Sequence, residues 1–112
     1  MSSVRDFIKG IQREMREDDL LPDRASELLN QATSLLGNVL DEARDSEMDY
    51  KRVLLGKLGE HAKANRARIE AETSDEYARW REARDIQRLT EEMIRSLKVY
   101  LRSKAEEMRL GG

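Results

Sequence analysis

The chain has 112 residues, of which 39% are charged and 38% hydrophobic, with one proline, one histidine and no cysteine. This length allows one domain, and the composition is typical of long helices or coiled coil. Without cysteine there can be no disulfide and no thiolate metal site. No apolar run approaches the roughly 18 residues of a membrane span, so we expect a soluble, cytoplasmic protein with no membrane contact.

Charge is distributed unevenly along the chain. Residues 1–50 contain 6 Lys and Arg against 12 Asp and Glu, whereas residues 51–72 contain 6 against 3. An acidic segment repels phosphate, so the N-terminal part suits a protein partner better than a nucleic acid. The basic middle of the chain suits an anionic partner.

The first predicted element is a short helix over residues 3–19. Its apolar side chains follow the 3/4 spacing of a one-sided helical stripe, from Val4, Phe7, Ile8 and Ile11 onward. The break after it comes at Pro22, because proline fixes its own φ and biases the preceding residue away from the helix.

A long second helix is predicted over residues 23–72. Gly37 and the Gly56–Gly59 segment weaken it, because each glycine costs up to about 1 kcal/mol in a helix interior. A bent but continuous helix is the favoured interpretation. The alternative is a kink at residues 56–59 that allows the close approach of a partner backbone.

A third helix is predicted over residues 74–110, after a turn near Thr73–Asp75. Thr73 followed by Glu76 matches a capping box. A short turn between long helices makes them antiparallel neighbours, and matching the apolar stripes places Met93 opposite Leu54. The predicted fold is therefore all-α: a long, coiled-coil-like antiparallel hairpin with a short N-terminal helix.

Such a chain has few large apolar groups for a core, so we predict a homo-oligomer. The apolar side chains left over at the open end of the hairpin are the predicted subunit contacts. They are Val4, Phe7, Ile8, Ile11, Leu28, Leu35 and Leu36.

The hairpin tip is the candidate nucleic-acid site, because basic residues there flank a tryptophan. Bases stack on aromatic side chains while Lys and Arg follow the phosphates. The alternative is that the tryptophan packs at a subunit contact, where this residue type is enriched. The candidate site residues are Lys63, Arg66, Arg68, Arg79, Trp80, Arg81, Arg84 and Arg88.

The outer face of the last helix is also basic, with Arg88, Arg95, Lys98 and Arg102 on one side. Helix faces opposite a core are normally charged, so a solvated face explains this pattern as well as a phosphate-binding face does. Many of these cations have a Glu three or four residues away, which stabilises the helix by only about 0.2–0.5 kcal/mol per pair.

The order of elements supports a resemblance. A short helix, a long acidic-to-basic helix, a Thr/Ser turn and a basic-faced helix ending in RSLKVYLRSKAEEMR follow one another. Over residues 28–108 this layout resembles the UvsY-type recombination mediators of T-even phages. The resemblance is one of layout and transfers no binding residue. It implies an oligomeric helical protein that binds single-stranded DNA and helps to load a recombinase, in the host cytoplasm if a phage encodes it.

Two functions follow as expectations. The first is a single-stranded nucleic-acid-binding accessory factor of phage recombination or replication, with a recombinase or single-strand-binding protein as a further partner. The second is a coiled-coil assembly or adaptor protein that never touches nucleic acid. A solvent-exposed Trp80 favours the first, and a buried one favours the second. No phosphate loop, nucleophile elbow or metal-ligand spacing occurs, so we expect no enzyme, catalytic residue, metal or cofactor.

Overall fold

The structure, a computed structural model, describes residues 2–17 and 20–111, which form four helices and contain no strand. The helices are α1 (Ser2–Glu17), α2 (Pro22–Glu60), α3 (Ala64–Ala71) and α4 (Asp75–Gly111). The predicted all-α class is confirmed for these residues. The predicted end of the first helix at residue 19 lies outside them.

The second helix is shorter than predicted, because α2 ends at Glu60 and residues 61–63 separate it from α3. Lys63 at the start of α3 has extended backbone angles (φ −109°, ψ 122°). Gly56 and Gly59 lower the helix propensity of the last turns of α2, which explains a break here rather than earlier. A Cβ added at either glycine would meet nothing within 4 Å, so no close approach within the described chain requires them.

The turn before α4 lies where it was predicted, but Ser74 caps the helix instead of Thr73. The Ser74 hydroxyl accepts a hydrogen bond from the backbone N–H of Tyr77 at 3.1 Å. Thr73 instead donates its hydroxyl proton to the carbonyl of Glu70 at 2.7 Å. Ser74 is therefore the N-cap, with Tyr77 at the third helical position.

The chain divides into two compact units. The first comprises the described residues of Met1–Gly37 and Arg88–Gly112, and the second comprises Asn38–Gln87. The core of the first unit joins α1, the start of α2 and the end of α4. Its buried side chains are Ile8, Ile11, Leu20, Ala25, Leu28, Met93 and Leu97.

Most of the side chains predicted to form subunit contacts are used within the chain instead. Ile8, Ile11 and Leu28 are buried to 3% exposure or less, and Val4 and Phe7 pack against the same core. Leu35 and Leu36 are half-buried. The core of α1, α2 and α4 therefore shields Val4, Phe7, Ile8, Ile11 and Leu28 from water without a second subunit.

The predicted register of the two long helices is also wrong. Met93 belongs to the core that contains Leu28, whereas the predicted register places it opposite Leu54. In the second unit, Tyr50 of α2 contacts Tyr77 and Trp80 of α4. The extra helix α3 and the break at residues 61–63 account for the shift, because the prediction placed a continuous helix there.

Small residues dominate the buried positions of the second unit. Ala43, Ala67, Ala71 and Ala83 are each at most 8% exposed. The buried hydroxyl of Ser46 donates to the backbone carbonyl of Glu42 at 2.7 Å, so its burial leaves no unsatisfied donor. This core has little side-chain volume, and its larger buried groups are Val39, Ile86 and the aromatic residues described next.

Candidate functional site

Three aromatic side chains form one cluster in the second unit. The ring of Tyr50 stacks on Trp80 with centroids 5.1 Å apart and planes 12° apart, and it lies 5.0 Å from the ring of Tyr77. Tyr77 also meets Trp80 edge-on at 6.0 Å. Tyr50 is buried, and this burial raises the pKa of its hydroxyl. The cluster joins α2 to α4 through contacts worth about 0.5–1.5 kcal/mol per aromatic pair beyond burial.

Trp80, which was predicted to stack on bases, is a member of this cluster. Trp80 is half-buried, with Tyr50 stacked on its ring and the Arg84 guanidinium carbon 4.8 Å from its centroid. Arg81 lies over the neighbouring Tyr77 ring at 5.8 Å. The π surface of Trp80 thus has partners within the chain, so a base would have to displace one of them.

Arg79 of α4 is held by two carboxylates of α2. Its Nε and Nη2 each donate to a carboxylate oxygen of Glu42 at 2.9 Å, and its Nη1 donates to Asp49 at 2.7 Å. These hydrogen bonds lower the pKa of Glu42 and raise that of Arg79. Two carboxylates neutralise this guanidinium, so Arg79 is a structural link between α4 and α2 and has no spare charge for a phosphate.

The surface beside Arg79 is acidic. A shallow open depression there is lined by Asp49, Asp75 and Glu76 together with Arg52 and Val53. Asp75 and Glu76 lie in the first turn of α4, where the helix dipole favours anions. Glu42 and Asp49 were not among the predicted site residues, because the predicted register of α2 places them away from Arg79.

The remaining candidate cations are dispersed. On α3, Arg66 lies 3.5 Å from Glu70, and Arg68 donates to the side-chain oxygen of Asn65 at 2.6 Å. Lys63 is exposed, and Arg88 belongs to the first unit. The remaining cations of the predicted tip therefore form two groups, Arg81 and Arg84 beside the aromatic cluster on α4, and Lys63, Arg66 and Arg68 at α3.

A second polar cluster lies at the break between α2 and α3. His61 Nε2 lies 2.9 Å from Glu70 Oε2, and this contact is the main cause of a lowered pKa for Glu70. Glu60, His61 and Glu70 each offer a ligand atom, all within 4.8 Å of one another. The Lys57 ammonium lies 3.5 Å from Glu60 and 3.6 Å from Glu70. Because a lysine already supplies the positive charge, we assign this cluster as an ion-pair network that closes the break.

Comparison of the chain with protein-family models, with curated proteins and with solved structures finds no match. The resemblance to recombination mediators therefore rests on the order of the helices alone. Within the described residues, none of the helices combines the length and the apolar character needed to cross a bilayer.

Proposed function

We propose that the protein is a homo-oligomeric helical assembly or adaptor protein that acts by helix–helix association and not by catalysis. The observation that carries this proposal is the contrast within the second unit. Its aromatic groups contact one another, whereas five large aliphatic side chains stay exposed. The exposed aliphatic side chains are Leu40, Met48, Leu55, Leu58 and Ile69. Leu55 and Leu58 are three residues apart and therefore adjoin on the surface of α2, and a contiguous exposed apolar patch marks a site of protein association.

The proposal includes an antiparallel, hairpin-like arrangement of α2 and α4. Arg79 of α4 supports it by joining Glu42 and Asp49 of α2, as does Tyr50 of α2 by stacking on Trp80 of α4. The outer side of α2 is then the surface that associates, because the side facing α4 is already covered.

Sedimentation tests the assembly. From about 1 to 100 µM, the wild-type mass should rise above the 13.0 kDa of the monomer, as mass action requires. Leu55→Ser with Leu58→Ser should weaken the assembly, because both side chains are exposed and apolar. The matched control is Leu110→Ser, which removes the most exposed leucine. A single 13.0 kDa species throughout would contradict the proposal.

A second candidate function is the binding of single-stranded nucleic acid, as in an accessory factor of phage recombination or replication. The observation that favours it is on α4 in the first unit. Arg95, Lys98 and Arg102 are exposed, and the ion pairs of the described residues do not include them. They span about 10 Å of helix at 1.5 Å per residue. The three cations of this stripe therefore remain available to phosphates.

Oligonucleotide binding tests the second candidate. Anisotropy of a labelled 30-mer should show an affinity whose logarithm falls with log salt at about −0.7 per phosphate contacted. Arg95→Glu with Arg102→Glu should abolish binding. The matched reversal at the tip, Arg66→Glu with Arg81→Glu, should leave most of it. If the wild type shows no salt-dependent binding at low salt, this candidate fails and the assembly proposal is unaffected.

A further inference from the structure

The outer side of α2 carries a heptad-like seam within the second unit. Residues 40, 44, 47, 51, 54 and 58 follow one another in alternating steps of four and three, the spacing of coiled-coil contact positions. In order, the seam holds Leu40, Arg44, Glu47, Lys51, Leu54 and Leu58. Leu54 and Glu47 are half-buried and the other four are exposed. Apolar ends therefore flank a charged centre.

This seam is its own complement when read in the opposite direction. Pairing each residue i with residue 98−i of another copy sets Leu40 against Leu58 and Glu47 against Lys51. A parallel in-register pair would instead set Glu47 against Glu47 and Lys51 against Lys51, and like charges in contact are strongly disfavoured. The charge pattern therefore favours an antiparallel pair with a two-fold axis near residue 49.

We infer that α2 of one chain pairs with α2 of a second copy, antiparallel and centred near residue 49. This inference rests on the proposed assembly function and identifies its partner and register. An interface of this kind is isologous, so every contact occurs twice. The seam spans about 27 Å of helix at 1.5 Å per residue.

The charges of the seam are free to change partners. Within one helix, Lys51 Nζ lies 4.0 Å from Glu47, the outer limit of an ion pair. Pairing with a second copy replaces this contact by Glu47 against the partner's Lys51, twice in the dimer. Polar residues at contact positions of a coiled coil fix register and orientation at a cost in stability. We therefore expect a specific but weak dimer.

Apolar and amphipathic side chains complete the interface. Leu55 and Met48 lie about 60–80° from Leu40 around the helix axis and extend the apolar surface beside the seam. Arg44 keeps its guanidinium on Asp41 at 3.1 Å. Its aliphatic stem can cover the partner's Leu54 while the charged end stays in water.

Charge exchange tests the pairing. Glu47→Lys and Lys51→Glu should each weaken self-association about tenfold or more, because like charges then face each other. A 1:1 mixture of the two variants should restore it as a heterodimer. The matched controls, Asp23→Lys and Arg52→Glu, change exposed charges of α2 outside the seam and should leave self-association unchanged. Circular dichroism should show the same helicity in all four.

Cysteine cross-linking tests the direction, since the wild type has no cysteine. Under mild oxidation, Leu40→Cys should cross-link to Leu58→Cys, because a disulfide needs Cβ atoms about 3.5–4.5 Å apart. Neither variant should cross-link to itself, since equal positions lie about 27 Å apart in this arrangement. Asn30→Cys, exposed on α2 outside the seam, should not cross-link to Leu58→Cys.

The outcomes separate this inference from the proposed function. Self-association of the wild type without rescue in the mixture, or a Leu40→Cys homodimer, would overturn the antiparallel pairing and leave the assembly proposal standing. A wild type that stays monomeric at about 100 µM would overturn both, because mass action favours any dimer at that concentration.

Discussion

Replacing Ile11 with alanine should lower the free energy of unfolding by about 2–5 kcal/mol, the range for large-to-small changes in a core. Ile11 is 1% exposed and lies in the core formed by α1, α2 and α4 of the first unit. Truncation removes apolar contacts and leaves a cavity that the surrounding helices fill only in part. Urea unfolding followed by circular dichroism measures the loss, at protein concentrations that differ a hundredfold.

The concentration series distinguishes two roles for Ile11. A core residue destabilises the chain equally at every concentration, whereas a subunit contact gives a loss that depends on protein concentration. Gln12→Ala, exposed on the same helix, is the matched control and should change stability by no more than about 0.5 kcal/mol. If the loss of unfolding free energy in Ile11→Ala depends on protein concentration, α1 lies in a subunit interface, as the sequence predicted.

The sequence predicts those parts of the fold that local chemistry decides. Pro22 begins α2 because its ring suits the first helical turn. The turn before α4 follows from a run of hydroxyl and acidic residues, even though Ser74 and not Thr73 provides the cap. In both places the decisive interactions lie within a few residues of each other.

The candidate site could not be predicted in the same way, because its contacts depend on the register of distant helices. Arg79 takes its partners from residues 30 and 37 positions earlier in the chain. A register error at residues 61–63 moves Glu42 away from Arg79 and Tyr50 away from Trp80. In the sequence, only Gly56 and Gly59 indicate the break. The ion pairs of Lys57 and His61 with Glu70 connect residues on opposite sides of it.

Most of the residues predicted to form subunit contacts are instead packed within the chain. An amphipathic stripe shows that a helix needs a partner, but the stripe does not identify the partner. For Ile8 and Leu28 the partners are helices of the same chain. The apolar spacing of α2 also includes Leu40 and Leu58, which are exposed, because spacing alone does not show which side chains find a partner within the chain.

Replacing Tyr50 with alanine should cost about 3–5 kcal/mol, the range for removing a large aromatic side chain from a core. Tyr50 is 7% exposed and contacts both Tyr77 and Trp80. Few other large groups fill the second unit, so neighbouring alanines cannot close the space. Tyr50→Phe keeps the ring and removes only the hydroxyl, so it should retain most of the stability.

Trp80 reports the same change directly, because it is the only tryptophan of the chain. In Tyr50→Ala the indole loses its stacked neighbour, so its emission should shift to the red in the folded protein, while Tyr50→Phe should leave it near the wild-type position. Tyr50→Ala also tests whether the stacked tyrosine keeps nucleic-acid bases from the indole of Trp80. If a 30-mer oligonucleotide quenches Trp80 in Tyr50→Ala but not in Tyr50→Phe, the stack with Tyr50 is what withholds the indole from bases. Equal quenching in the wild type would show that the cluster opens to nucleic acid, and the tip would again be the nucleic-acid site.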